Sequence, residues 1–356
     1  MKFTIAKNII ENIVSSMQPF LNKKDSSSIT SHIYLEIQNN NLIIKATDYE
    51  MGAEAYVSDI TDIIDGKATI NGGNFLNIIR RLKDEDIIFE SIDNNLNISQ
   101  KRSNFKLPMY NANEYPPFPE LNDLKKLDIN TINLITNIKK ITPSIDNNNP
   151  KFELNGALID IKSDKINFVA TDTRRLAVAK IENISNNETQ IIIPKKAIVE
   201  IQKLFLDEAT IKYDDTNLVV SNNNYTFFTK LINGKFPDYE RIIPKNLKYN
   251  FSLSKSALIE SIKLVTSIES KIKITFNSDA TIFESLDDDS ESKTQIDSNL
   301  NIDQSFYVAV NSKYILDFLS SVNSETINIG FNESNLPFYL EDNNFIMIIM
   351  PIILDK

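Results

Sequence analysis

The chain has 356 residues, 42% of them hydrophobic, with no cysteine, one histidine (His32) and a formal charge of −10. That length exceeds what one hydrophobic core sustains, so two or three domains are expected. The absence of cysteine excludes disulfides, thiolate zinc sites and cysteine nucleophiles, and a single histidine cannot supply both a Ser-His-Asp pair and a histidine metal site.

The first element opens at Phe3 and Ile5, spaced as in a strand, and runs into an amphipathic helix over residues 6–17 with Ile10, Val14 and Met17 on one face. Lys7, Asn8 and Glu11 interrupt this stretch, so it is not read as a signal peptide. A strand–turn–strand unit follows, "IIKATDYEMGAEAYV" from Ile43 to Val57, and then a second helix over 73–83. The proline-bearing segment Asn113–Leu121 closes this part. The pattern then restarts. Leu127 and Ile129 lead into a helix over 130–142, and "FVATDTRRLAVAKI" from Phe168 to Ile181 repeats the Thr-Asp turn with two arginines added. A helix over 194–205 and the link Gly234–Asn246 complete the second copy. Phe251 and Leu253 begin a third, with helices over 254–266 and 311–322, then the alternating strands "TINIGF" and "FYLEDNNFIMIIM". The openings at Phe3, Leu127 and Phe251 are 124 residues apart, twice. The expected fold is therefore α+β: three tandem copies of one domain, two helices packed on antiparallel sheets, over 1–121, 122–244 and 245–356. The Asn-rich tracts Asn147–Asn149 and Asn222–Asn224 read as loops. The longest apolar run, Phe345–Leu354, is ten residues with a proline inside, too short to cross a bilayer. A soluble, cytoplasmic protein without membrane contact is expected.

Charge is segregated. The six helical segments carry a net +8, leaving −18 on the remainder. Such a split points to helices sharing one surface that faces an anion. No helix-turn-helix or zinc-finger spacing accompanies it, and few aromatics lie near the basic residues to stack single-stranded bases. The expected contact is with duplex phosphates, without sequence preference. A repeat-built peptide adaptor that encircles nothing is the competing reading, and a basic helical surface has no use in one.

No enzyme, metal or cofactor is expected. Gly72-Gly73 stands alone as a turn, the acidic Leu286–Lys293 run reads as a solvated loop, and His32 lies in the alternating stretch "ITSHIYLEI" as a strand residue. Asp48 and Asp172 are expected to cap their turns through the side chain.

Three basic-helixed repeats, "TDTRRLA" in the middle one, "GKFPDYERIIP" and a terminal Met-Pro together resemble the bacterial DNA polymerase III β subunit, the sliding clamps, from "MKFT" to "MPIIL". The resemblance implies a head-to-tail homodimer forming a six-domain ring, twelve helices around a hole that admits double-stranded DNA, and sheets on the rim. It implies a non-catalytic processivity factor that tethers the replicative polymerase catalytic subunit, the clamp loader and other proteins carrying a clamp-binding motif ending in Leu-Phe or similar. Their cleft would lie between the second and third domains. The turn would contribute Thr171, Thr173, Arg174, Arg175 and Leu176. Leu154 and the link residues Pro237, Arg241 and Ile242 would form a second wall, and the terminal Ile348, Met350, Pro351, Ile352 and Leu354 a third. The DNA-facing side would present Lys24, Arg80, Asn148, Lys195 and Lys196. The dimer interface would use Phe105 and Leu107 against Val265 and Thr266. The first repeat keeps Thr47-Asp48 but lacks Arg-Leu-Ala, so it is expected not to bind peptides. Departures from the family pattern are Thr173 where glycine is common, Arg174 where histidine is common, Glu153 where an aromatic is usual, Gly73 and Asn74 where basic residues are common, Ile353 for an arginine, and the added Asp355-Lys356.

Overall fold

The structure, a computed structural model, describes residues 1–120, 123–183, 188–267, 269–286 and 291–354. The junction expected at 121/122, residues 287–290 of the acidic run and the Asp355-Lys356 tail lie outside the described residues.

All six expected helices are present: α1 (Lys7–Met17), α2 (Gly72–Arg81), α3 (Thr131–Ile141), α4 (Lys195–Leu204), α5 (Lys255–Val265) and α6 (Ser312–Ser321). Their starts follow from capping chemistry. Asn71, Ser254 and Asn311 each accept a hydrogen bond from a backbone N–H of the first turn, at 3.1, 3.4 and 3.0 Å, and Pro194 precedes α4, where its missing N–H costs no helical bond. Their faces follow from the repeat. Of the fifteen apolar positions that coincide in the three copies, fourteen are buried, and the exception, Phe251, is half-buried against Phe276 and Phe306. Gly72 is not part of a phosphate loop. It is the buried first residue of α2, and a β-carbon there would stand 2.2 Å from Leu21.

The chain divides into two compact units: residues 1–133 with 196–231, and 134–195 with 232–356. The first unit holds two antiparallel sheets. One is five-stranded, in the order Thr61–Ile64, Lys2–Ala6, Asp86–Ile92, Asn95–Gln100, Ser103–Pro108. The other is eight-stranded: Lys125–Lys126, Thr210–Tyr213, Asn217–Ser221, Tyr225–Lys230, Met51–Val57, Asn41–Thr47, His32–Gln38, Gly66–Asn71. The second unit repeats the scheme. Its eight-stranded sheet runs Thr189–Pro194, Gly156–Ile161, Lys165–Thr171, Arg175–Glu182, Phe345–Ile349, Phe338–Asp342, Thr326–Phe331, Tyr249–Ser254, and a four-stranded sheet runs Lys293–Asp297, Ala280–Ser285, Lys271–Phe276, Phe306–Asn311.

The compact units therefore do not coincide with the sequence copies. Each long sheet crosses from one copy to the next: Phe227 of the middle copy pairs with Ala53 of the first, and Val178 of the middle copy pairs with Ile346 of the third. Ladder hydrogen bonds bind half of the middle copy to each neighbour, and the proline links lie outside these ladders. The second link is anchored by its own motif. Tyr239 of Phe-Pro-Asp-Tyr donates its hydroxyl to buried Asp160 at 2.6 Å and accepts from Asn167 at 2.8 Å.

His32 is a strand residue, as expected, 5% exposed, with its ring stacked on Tyr110 at 4.3 Å and its Nδ1 without a partner. Burial holds its pKa down at about 4, below the ordinary 6.5. The unfolded chain therefore binds a proton that the folded chain refuses, and the contribution of His32 to stability, complete above about pH 6.5, is lost as pH falls toward 4. Urea midpoints at pH 7 and pH 5 should differ more for the native protein than for His32→Phe, which keeps the stacking but cannot titrate. An equal drop in both would exclude His32 as a source of the acid sensitivity.

Candidate partner-binding groove and charged faces

The Thr-Asp turn has the same geometry in both copies. In the first, Asp48 Oδ1 accepts from the N–H groups of Glu50 and Met51, and Thr47 Oγ1 donates to Met51 O. In the second, Asp172 Oδ1 accepts from Arg174 and Arg175 at 3.0 Å each, and Thr171 Oγ1 donates to Arg175 O. The third turn residue has positive φ in both, 73° at Tyr49 and 71° at Thr173. Threonine is strained in that region, where glycine is not.

What differs is the fifth residue. The resemblance makes Arg175 a cleft residue; in the structure it is buried, 5% exposed. Each of its three guanidinium nitrogens has an acceptor. Nε donates to Asp172 at 2.9 Å, Nη1 to Asp317 of α6 at 2.7 Å and Nη2 to Pro143 O, and the plane lies 4.5 Å over the Tyr314 ring. A planar fork with five donors suits three acceptors at once. Arg175 therefore fixes the turn to α6 from within, and the neighbouring exposed residue is Arg174. In the first copy Met51 stands in its place, and Asp48 is held by Lys196 of α4 at 2.8 Å.

Beside the turn, Leu154, Leu176 and Ile348 join one apolar cluster with Leu158, Phe236 and Tyr239. Two backbone bonds pin the terminal segment alongside: Met350 N donates to Arg174 O at 2.8 Å, and Ile352 N to Ala309 O at 2.7 Å. Met350 is 42% exposed, while Pro351, Ile352 and Leu354 are half-buried. On the link, Pro237, Arg241 and Ile242 are exposed, and Ile243 rather than Ile242 packs on the cluster. Thr171 is half-buried and Thr173 exposed. The result is an apolar floor with exposed residues on the turn, the link and the tail. Sequence reasoning missed Tyr314 beneath Arg175 and Phe152, 75% exposed on the same 3-10 turn as Leu154; only its position beside Leu154 could have flagged Phe152. The first copy has no such floor. Gly52 stands where Leu176 would, a β-carbon there would lie 2.6 Å from Phe228, and Phe118 packs on Phe228 at 4.8 Å.

The expected DNA-facing residues are not alike. Lys24, Arg80 and Asn148 are exposed. Lys195 is half-buried and donates to Ile145 O at 2.7 Å and Asn147 Oδ1 at 2.8 Å, with its pKa lowered by burial; Lys196 is spent on Asp48. Lys195 holds its loop from a half-buried position, whereas the Lys196 side chain is exposed and its bridge lies at the surface. The sequence reading also omitted a basic hollow of about 360 Å³ lined by Arg81, Lys83, Lys101 and Arg102 around buried Gln100.

For the interface, Phe105 and Leu107 are half-buried on Ser103–Pro108, the outermost strand of the five-stranded sheet. Val265 is a correction. It is 0% exposed in the core of α5, because it occupies the repeated apolar register, and no surface of it remains for a partner. Thr266 is half-buried and bonds back to Ile262 O at 2.7 Å, while the exposed apolar neighbour is Leu264, at 62%.

Family models describing the N-terminal, central and C-terminal domains of the DNA polymerase III beta subunit match residues 1–119, 128–238 and 240–353. Fold and matches define the class: a clamp-type processivity factor of three tandem domains, not an enzyme. The beta sliding clamp of Helicobacter pylori is 39% identical over 96% of this chain and 94% of its own length. A crystal structure of the Helicobacter pylori beta clamp bound to a DNA ligase peptide has a TM-score of 0.94, with 39% identity, over 99% of this chain and 100% of that one. The Pseudomonas aeruginosa DNA polymerase III subunit beta shares the fold at a TM-score of 0.90 and 21% identity, over 99% of this chain and 100% of that one. The chain belongs to the DNA polymerase III beta subunit family, the beta sliding clamps.

Replacing Arg175 by Met leaves Asp172 and Asp317 facing each other without the guanidinium, at a cost of about 2–4 kcal/mol. Arg175→Lys should recover little, since one ammonium cannot reach three acceptors. Chemical unfolding followed by circular dichroism checks both; a native-like Arg175→Met would show the network to be dispensable.

Proposed function

We propose that two copies of this chain close head to tail into a ring that encircles duplex DNA, and that the groove of the second unit holds a short peptide segment of each tethered protein. The observation that carries the ring is a pair of open edges. Ser103–Pro108 and Lys293–Asp297 are both outermost strands, in sheets of different units, and each leaves a row of backbone donors and acceptors unpaired. Pairing one of these edges with the other of a second copy happens twice in a two-fold ring and leaves neither of the two open, which is the closure that cyclic symmetry requires. Phe105 and Leu107, with Leu264 on the opposite side, would become buried there. In this reading the domains divide near 121/122 and 244/245, and the basic helical faces line the hole.

The fit to DNA is electrostatic. Arg80, Lys139 and Lys263 are exposed on α2, α3 and α5, and cations that meet phosphates bind without regard to sequence. An acidic remainder repels DNA from the outside. A cytoplasmic replication role follows, and no helix among the described residues is long and apolar enough to cross a membrane.

For the groove, the ligase peptide carried by the Helicobacter pylori clamp supports peptide binding here. Two apolar anchors on such a segment, each worth about 1.5–3 kcal/mol when buried, offset the ordering of the peptide. Affinity in the micromolar range, roughly −8 kcal/mol, suits proteins that exchange on one ring.

The native protein, loaded on closed circular DNA, should stay on it and leave once that DNA is cut, while its direct binding to short linear duplexes is weak and falls steeply with salt. Leu107→Asp should sediment as a folded monomer and lose retention on circles; a dimer at low concentration would place the interface elsewhere. Removing residues 350–356 takes away the tail wall alone. That variant should dimerise and load, yet fail to bind polymerase, and undiminished polymerase binding would remove the tail from the groove.

A further inference from the structure

Around the groove, nearly every carboxylate is already paired with a cation of the chain. Asp172 and Asp317 hold Arg175, Asp317 also holds Lys313, Asp238 holds Arg241, and Glu240 holds Lys162. Glu153 is different. It sits half-buried on the 3-10 turn Phe152–Asn155, between exposed Phe152 and Leu154, whose side chain enters the apolar floor. Its side chain lies against the link: a β-carbon on Gly234 would be 3.5 Å from its Cβ and 3.9 Å from its Oε2. No described residue forms an ion pair with it, although Lys151 and Lys235 are its near neighbours along the turn and the link. Its side chain also enters no hydrogen bond among the described residues.

A partly desolvated carboxylate attracts a cation more strongly than a solvated one does, because the local dielectric is lower and water competes less. Arg174, on the Thr-Asp turn, has the opposite sign. It is exposed and forms no ion pair among the described residues, and its carbonyl is bonded to Met350 at the start of the tail. Among the described residues an unpaired carboxylate thus lies against the link and an unpaired guanidinium beside the tail, and their chain neighbours Leu154 and Leu176 both join the apolar floor.

We propose that Glu153 is a specificity-determining residue of the groove: it takes the ammonium or guanidinium of a Lys or Arg flanking the apolar anchors of a bound peptide. This rests on the groove being the peptide site, and it deepens that reading by stating the charge of the partner segment and its direction. The basic flank goes to the link side, and a basic residue at the tail side is disfavoured by Arg174. A charge pair at the rim of an apolar contact adds discrimination rather than most of the affinity.

The test uses synthetic hexapeptides ending in Leu-Phe, with Lys or Gln at each of the preceding positions in turn, titrated by fluorescence anisotropy into the full-length native protein and into Glu153→Gln. At one position the Lys peptide should bind the native protein about three- to tenfold tighter than its Gln counterpart at low salt, with the preference shrinking as salt is raised. Glu153→Gln should bind the Gln peptides as the native protein does and lose the preference for Lys. A Lys preference of the same size in both proteins overturns the assignment to Glu153 and leaves the groove intact. A uniform loss with every peptide makes Glu153 a structural residue and overturns it as well. Failure of all the peptides to bind the native protein overturns the groove reading, and this proposal with it.

Discussion

The pairing of strand Arg175–Glu182 with strand Phe345–Ile349 is the contact on which the proposed groove depends. These strands come from different sequence copies, and their ladder joins two four-stranded halves into one eight-stranded sheet. At its end the ladder passes into the Asp172-capped turn, and the Met350 N–H bonded to Arg174 O continues it into the tail. The tail is held because the ladder is in register, and the register is held because the turn cannot slip. A shift by one residue would send Leu176 and Ile348 to the wrong face.

Arg175 makes this arrangement rigid. Two carboxylates, a carbonyl and an aromatic face converge on one guanidinium, and they come from the turn, from the segment after α3 and from α6. The cost of desolvating such a charge is repaid only when it finds well-placed hydrogen-bond partners. Here each of the three guanidinium nitrogens has an acceptor, so the turn beside the apolar cluster is tied to α6.

The first copy shows the same turn put to another use. The Asp48 cap, the Thr47 hydroxyl and the positive φ at Tyr49 all recur, so the backbone is the same. Yet Gly52 removes the side chain that would form a floor, and Phe228 moves into the space. Lys196 replaces the buried arginine with an exposed bridge, worth little to stability in water. A repeated backbone thus carries a groove in one copy and a filled core in the other, according to two or three side chains.

The helices, their order and their buried faces were legible in the sequence, because apolar spacing and capping residues are local signals that recur in three copies. The Asp caps, the strand character of His32 and the link motif were legible for the same reason. What the sequence could not indicate is where the pieces join. Strand pairing between copies depends on groups far apart in the chain, and it sets compact units that cut across the repeat. Adjacent arginines look equivalent in sequence; only packing decides that Arg175 is enclosed by acceptors while Arg174 is left in solvent. Likewise Val265, Lys195 and Lys196 have the residue types of surface contacts, but the first falls on a core register and the other two meet acceptors donated by distant loops. Residue type and spacing determined the elements, and long-range geometry decided which side chains remained free to act.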